Sequence, residues 1–144
     1  MNLSDDGRRS RAADPAIPEA LRRQLQSELT AARRLDARSR EEDAMVALGE
    51  RGEPWSEPTP AGRRVRLAAA MRALLWHRRP EATICPSDAA RVAGGESWRE
   101  LMDAARQVAA ELSREGIVTV RQHGADVDVA TAVGPIRLAR GPRW

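Results

Sequence analysis

SWRELMDAARQVAAELSREGIVTVRQHGADVDV, residues 97–129, changes its hydrophobic period once. Trp98, Leu101, Ala105, Val108 and Leu112 step by three and four residues, the spacing of one face of an α-helix. Ser97 followed by Glu100 has the pattern of a capping box, so a helix is predicted to begin at Ser97 and run to about Glu115. After Gly116 the period becomes alternating: Ile117, Val118 and Val120 precede a turn at His123-Gly124, and Val127 and Val129 follow. Gly134-Pro135 resets direction, and Ile136 to Arg140 alternates apolar with charged, as a half-buried strand does. A helix followed by a hairpin over 117–140 is predicted.

Working back toward the N-terminus, Arg63 to about Arg79 contains no Gly or Pro. Val65, Ala68, Ala69, Met71, Leu74 and Leu75 there give a broad apolar stripe, a first core helix that Pro80 ends. Thr83 to Cys85 reads as a short extended piece. Ser87 to Ala93 reads as a brief helix with Pro86 in its first turn, stopped by Gly94-Gly95. The order helix, short strand, helix, turn, helix, hairpin is that of a winged helix-turn-helix. The fold class expected is mainly α with a small β-hairpin, a winged-helix-like domain over 63–144 preceded by a helical appendage.

Residues 49–62, with three glycines and three prolines, read as a linker, and Trp55 as the anchor that lays it on a neighbouring surface. The appendage, 19–48, divides into a helix from Glu19 to about Leu35, carrying Leu21, Leu25, Leu29 and Ala32, and a second from Ser39 to Leu48. Ser39 and Glu42 form a candidate capping box at the start of that second helix. Residues 1–18 lack periodicity and read as a disordered tail.

Composition narrows the chemistry. All 24 basic residues are Arg, and Phe and Tyr are absent, a pattern that GC-rich coding produces without selection for phosphate binding. With no Lys and no Tyr, Schiff-base chemistry and tyrosine acids are excluded. Residues 1–60 hold 10 Arg against 12 acids, and residues 61–144 hold 14 Arg against 9, so the positive excess sits on the C-terminal part. Cys85 is the only cysteine, which excludes an internal disulfide and suits a reducing, cytoplasmic setting. No apolar run approaches the roughly 18 residues of a membrane span, so no membrane role is expected.

The stretch 84–141 resembles the bacterial family known as domain of unknown function 3253. The likeness rests on Ile84-Cys85-Pro86-Ser87, Trp98-Arg99-Glu100-Leu101-Met102 and Gly134-Pro135-Ile136-Arg137-Leu138. With the helix from Arg63 it covers about the last 80 residues. Where members carry Val-Asp-Pro-Ala-Thr, this chain has Val127-Asp128-Val129-Ala130-Thr131. The resemblance implies a winged-helix-like fold and no particular activity.

No catalytic, metal or cofactor set is expected. Ser87 and Ser97 stand at helix starts, where a hydroxyl caps. Cys85 reads as a small hydrophobe, and His77 and His123 have no partner at metal-ligand spacing. Trp98 and Trp76 read as core, and Trp144 as a frayed end. Gly94-Gly95 lacks the Lys of a phosphate loop. The reading that remains is double-stranded DNA binding through helix 97–115 and the hairpin. Its candidate contacts are Arg99, Arg106, Arg114, Arg121, Arg137 and Arg140, with Gln107 and Arg143 nearby. Against it, residues 97–115 carry 3 Arg and 4 acids. The alternative is a protein-interaction module, by self-association or partner docking, that uses the winged domain and the Leu21, Leu25, Leu29 stripe.

Overall fold

The computed structural model describes residues 2–3 and 9–144. Two short strands, β1 (Asn2–Leu3) and β2 (Arg9–Ser10), pair antiparallel. Residues 1 and 4–8 of the expected disordered tail lie outside the described residues. Residues 11–18 correct that expectation, because they lie against the body. Arg11 donates to the Gly49 and Gly52 carbonyls at 3.0 and 2.9 Å, Ile17 is buried, and Asp14, 6% exposed, accepts from Arg66 at 3.0 Å. A segment without periodicity is ordered here by partners far along the chain.

Helix α1 (Glu19–Arg34) buries Leu21, Leu25, Leu29 and Ala32, the residues its 3–4 spacing predicts. Helix α2 (Arg38–Leu48) stops at Gly49, whose φ of +81° suits glycine. The capping box expected at Ser39 and Glu42 does not form. Ala37 is the N-cap, its N–H bonded to the Ala32 carbonyl, and Glu42 instead pairs with Arg51 at 3.0 Å. Glu28, buried on α1, accepts two bonds from Arg40 at 2.8 and 2.9 Å, and these bonds hold the Arg40 pKa above its ordinary value. That pair ties the two helices together.

Helix α3 (Pro60–His77) begins three residues before the expected Arg63, because Thr59 caps it by accepting the Gly62 N–H at 3.1 Å and Pro60 takes the first position. It is the centre of the molecule. Leu67, Ala69, Ala70, Met71, Ala73, Leu74 and Leu75 are all buried, more of its circumference than a one-sided stripe would cover. The arc left partly open runs through Ala61, Val65, Ala68, Arg72 and Trp76. Val65, expected in the core stripe, lies on that arc and is 60% exposed.

Beyond α3, Ile84 bridges to Leu138 and helix α4 (Pro86–Gly94) follows. Its N-cap is Cys85, whose N–H the Asp88 carboxylate accepts at 3.0 Å; Ser87 does not cap. The helix expected from Ser97 is corrected as well: Gly95–Leu101 winds as a 3₁₀ turn with Ser97 outside helical geometry, and helix α5 spans Met102–Arg114. The turn is pressed onto α4 so closely that a Cβ on Gly94 would lie 2.8 Å from Leu101, and Ser97 faces solvent without a capping bond. Leu101 and, on α5, Ala105, Val108 and Leu112 are buried as expected, and Ala109 is buried beside them. Leu101→Ala is expected to cost about 2 to 5 kcal/mol, seen as a lower urea midpoint; no shift would mean that this turn does not seat the helix.

Strand β3 (Val118–Gln122) turns through His123 and Gly124, at φ +52° and +79°, into β4 (Ala125–Asp126). Two successive positive φ values suit a two-residue hairpin turn. Strand β5 (Arg137–Arg140) pairs with the other edge of β3, with Val120 opposite Leu138, giving the sheet order β4-β3-β5. In the loop before β5, Asp128 accepts the Ala130 N–H at 2.9 Å and closes a turn without a proline at 129. The chain is thus mainly helical with a small three-stranded antiparallel sheet. A single cluster of buried side chains runs from Ile17 on through α1, α2 and α3 to Leu138. The Leu21, Leu25, Leu29 stripe, expected to await a partner, is enclosed in that cluster.

Candidate nucleic-acid interface

A surface that approaches phosphates needs arginines with unspent donors, so the hydrogen bonds of each candidate decide its use. Arg106 is half-buried and donates to the Ala132 and Gly134 carbonyls at 2.9 and 3.2 Å, tying α5 to the loop before β5. Arg121 lies 3.4 Å from Asp126 on the paired strand. Arg137 donates to the hydroxyl and carbonyl of Thr83, at 2.9 and 3.0 Å. Arg140 donates to the Leu75 and Arg78 carbonyls at 3.0 and 3.1 Å, closing the end of α3. Its guanidinium also lies over Trp76 and Trp144, 5.1 and 5.3 Å from the ring centres. Trp144 is therefore not a frayed end: its ring sits 5.0 Å from Trp76.

Two of the six candidates, Arg99 and Arg114, remain exposed without a hydrogen bond to the described residues. Arg99 lies over one side of Trp98, 4.5 Å from the ring centre, and Arg91 of α4 lies at the same distance. Trp98, expected in the core, is half-buried with both cations against it. Arg91 and Arg64 were missed by sequence reasoning. Arg64 of α3 donates to Gln107 at 2.9 Å and pairs with Glu111, covering part of the outer side of α5. No spacing rule points to Arg64, because its partners lie more than forty residues away.

The outer side of α5 presents Asp103, Gln107, Glu111, Arg114 and Glu115. Residues 95–137 together carry 5 Arg against 7 acids. At the tip of the loop before β5, Val133 is 88% exposed beside exposed Gly134 and Pro135. His123 is exposed in its turn, His77 is the exposed last residue of α3, and the Cys85 thiol is half-buried. No helix among the described residues is long and apolar enough to cross a membrane.

Residues 64–141, more than half of the chain, match the family described as "Protein of unknown function (DUF3253)". No curated protein matches the sequence.

Proposed function

The chain belongs to the DUF3253 family, and from that premise we propose that it is a non-catalytic, cytoplasmic winged-helix module that docks a protein partner. The docking surface is the outer side of α5 together with the wing, the hairpin and loop from β3 to β5. The winged reading is supported by the element order and by the edge-to-edge order β4, β3, β5, Ile84. The cytoplasmic setting rests on the lone cysteine. The non-catalytic reading rests on the scattered placement of His77 at the end of α3, Cys85 just before α4 and His123 in the turn between β3 and β4.

One observation carries the choice of a protein partner: of the six arginines expected to meet phosphates, four are engaged within the chain, and residues 95–137 hold 5 Arg against 7 acids. Such a surface offers a polyanion little, whereas a helix of balanced charge beside an exposed apolar tip at Val133 suits a partner with an apolar patch and a polar rim.

DNA is the second reading, favoured by the Arg91, Trp98 and Arg99 stack at the turn into α5. Filter binding with duplex DNA across salt concentrations separates the two. The protein reading expects no retention even at low salt. Retention that weakens by about 0.9 log units per phosphate contact for each decade of salt, and that is lost in Arg91→Ala/Arg99→Ala, would replace it with DNA. A photo-crosslinking residue at Val133 is expected to trap one protein of defined mass in the producing cells, and Glu111→Lys to abolish that adduct.

A further inference from the structure

At the tip of the wing the backbone carbonyls of residues 132–135 are all taken from within the chain. Arg106 of α5 donates to those of Ala132 and Gly134, at 2.9 and 3.2 Å, and the Gln122 amide at the end of β3 donates to those of Val133 and Pro135, at 2.6 and 3.1 Å. Alternate carbonyls held by two different side chains fix the segment as a knob, and the side chain at its tip, Val133, is left 88% exposed. A branched apolar group on backbone that is already ordered loses little entropy on docking. Residues 129–136 carry no charge, so the knob calls for an apolar, uncharged seat.

The same molecule carries such a seat. Between the segment after α2 and the first turns of α3 lies a cleft of about 250 Å³, walled by Val46 of α2, Trp55 and Pro58 of the connecting segment, Val65 of α3 and Ala93 of α4. A cavity of about 150 Å³ is enough for a benzene ring, so this one admits a valine side chain with part of a proline beside it. The charges of its lining are matched at home: Arg51 pairs with Glu42 and Arg66 with Asp14, each at 3.0 Å, and Arg63 acts on Glu53. What the cleft leaves unmet is apolar surface. Among the described residues the exposed large hydrophobic side chains are Leu35, Val65 and Val133; one of these lines the cleft and one tips the knob.

Resting on the reading of the wing as a docking element, we propose that its partner is a second copy of this chain, with Val133 of one copy seated between Val46, Trp55 and Val65 of the other. Knob and cleft are different patches of one surface, so the contact is heterologous and each copy can both give and receive. A knob seated in a cleft buries little area, so the association is weak and depends on concentration.

Light scattering and two-dimensional NMR of the indole N–H groups test this on the purified full chain. On concentration to about 1 mM the mean mass is expected to rise and the Trp55 signal to move. Val133→Asp and Val65→Glu, both at exposed positions, should melt as the parent does and stay monomeric when alone. Mixed, they restore one intact contact: the Trp55 signal of labelled Val133→Asp should move when unlabelled Val65→Glu is added, and with the labels exchanged it should stay still. No concentration dependence in the parent, association kept by either variant alone, or a mixture that leaves Trp55 of Val133→Asp unmoved would overturn the proposal. The crosslinking residue at Val133 separates this from the docking reading beneath it. An adduct of twice the chain's mass is expected; an adduct of any other mass overturns self-association and leaves the docking reading standing, and no adduct removes both.

Discussion

A chain cut to residues 59–144 is expected to lose cooperative folding, although it contains the whole of the family-matched segment. Helix α3 is buried toward α1 and α2 as well as toward α4 and α5, and the missing part contributes Leu25, Leu29, Met45 and Leu48 to the shared cluster. Each fully buried aliphatic side chain is worth about 1.5 to 3 kcal/mol. Losing several of them therefore removes a stabilisation as large as the roughly 5 to 15 kcal/mol by which a domain is stable at all. The cut also deletes Asp43, which holds Arg72 through two 3.0 Å bonds, and Gln24, which accepts from Arg78 at 3.2 Å. Near-ultraviolet circular dichroism and dye binding through a urea titration read the outcome: helical content without fixed side chains and with exposed apolar surface. A sharp transition at the parent midpoint would mean that residues 59–144 form a self-sufficient unit.

Asp14→Ala is expected to lower stability by about 3 to 5 kcal/mol, because it strands a guanidinium that cannot reach water. Arg66 projects from the middle of α3 and is 8% exposed, so it cannot swing out as a surface arginine would. The Ala47 carbonyl remains as its acceptor, but the counter-charge is gone. The double variant Asp14→Ala/Arg66→Met should recover most of the loss, since removing both charges leaves nothing unpaired in the interior. Chemical denaturation at neutral pH measures all three proteins. If Asp14→Ala falls within about 1 kcal/mol of the parent, the pair is solvated in solution and behaves as a surface bridge.

Both effects involve a segment whose composition reads as disordered. Residues 11–18 have no periodicity to offer, and their order comes from single partners: Arg66 for Asp14, Gly49 and Gly52 for Arg11. The indole N–H of Trp55, expected to anchor its segment, donates to the Ala12 carbonyl at 3.1 Å and so holds the same stretch from its other side. Capping boxes show a related gap. Ser39 with Glu42 and Ser97 with Glu100 have the right spacing, yet neither serine caps. Whether a hydroxyl reaches an orphan N–H depends on how the preceding chain enters the helix, and here the backbone turns at Asp36 and at Gly94-Gly95 set that entry.

Helix α1, the buried side of α5 and the His123-Gly124 turn were readable from residues a few positions apart, because periods of 3.6 and 2 and left-handed turn residues express interactions between near neighbours; the return strand expected through Val127 and Val129 is instead the two-residue β4, and the pairing of β3 with β5 is set by packing. The fate of the arginines was not readable. Arg106, Arg137 and Arg140 carry the same charge as Arg114, and they differ only in which carbonyl or hydroxyl the folded chain brings within 3 Å or so from 26 to 65 residues away. A side chain announces its donors, but the acceptors they meet are supplied by distant segments, and packing alone brings those segments together.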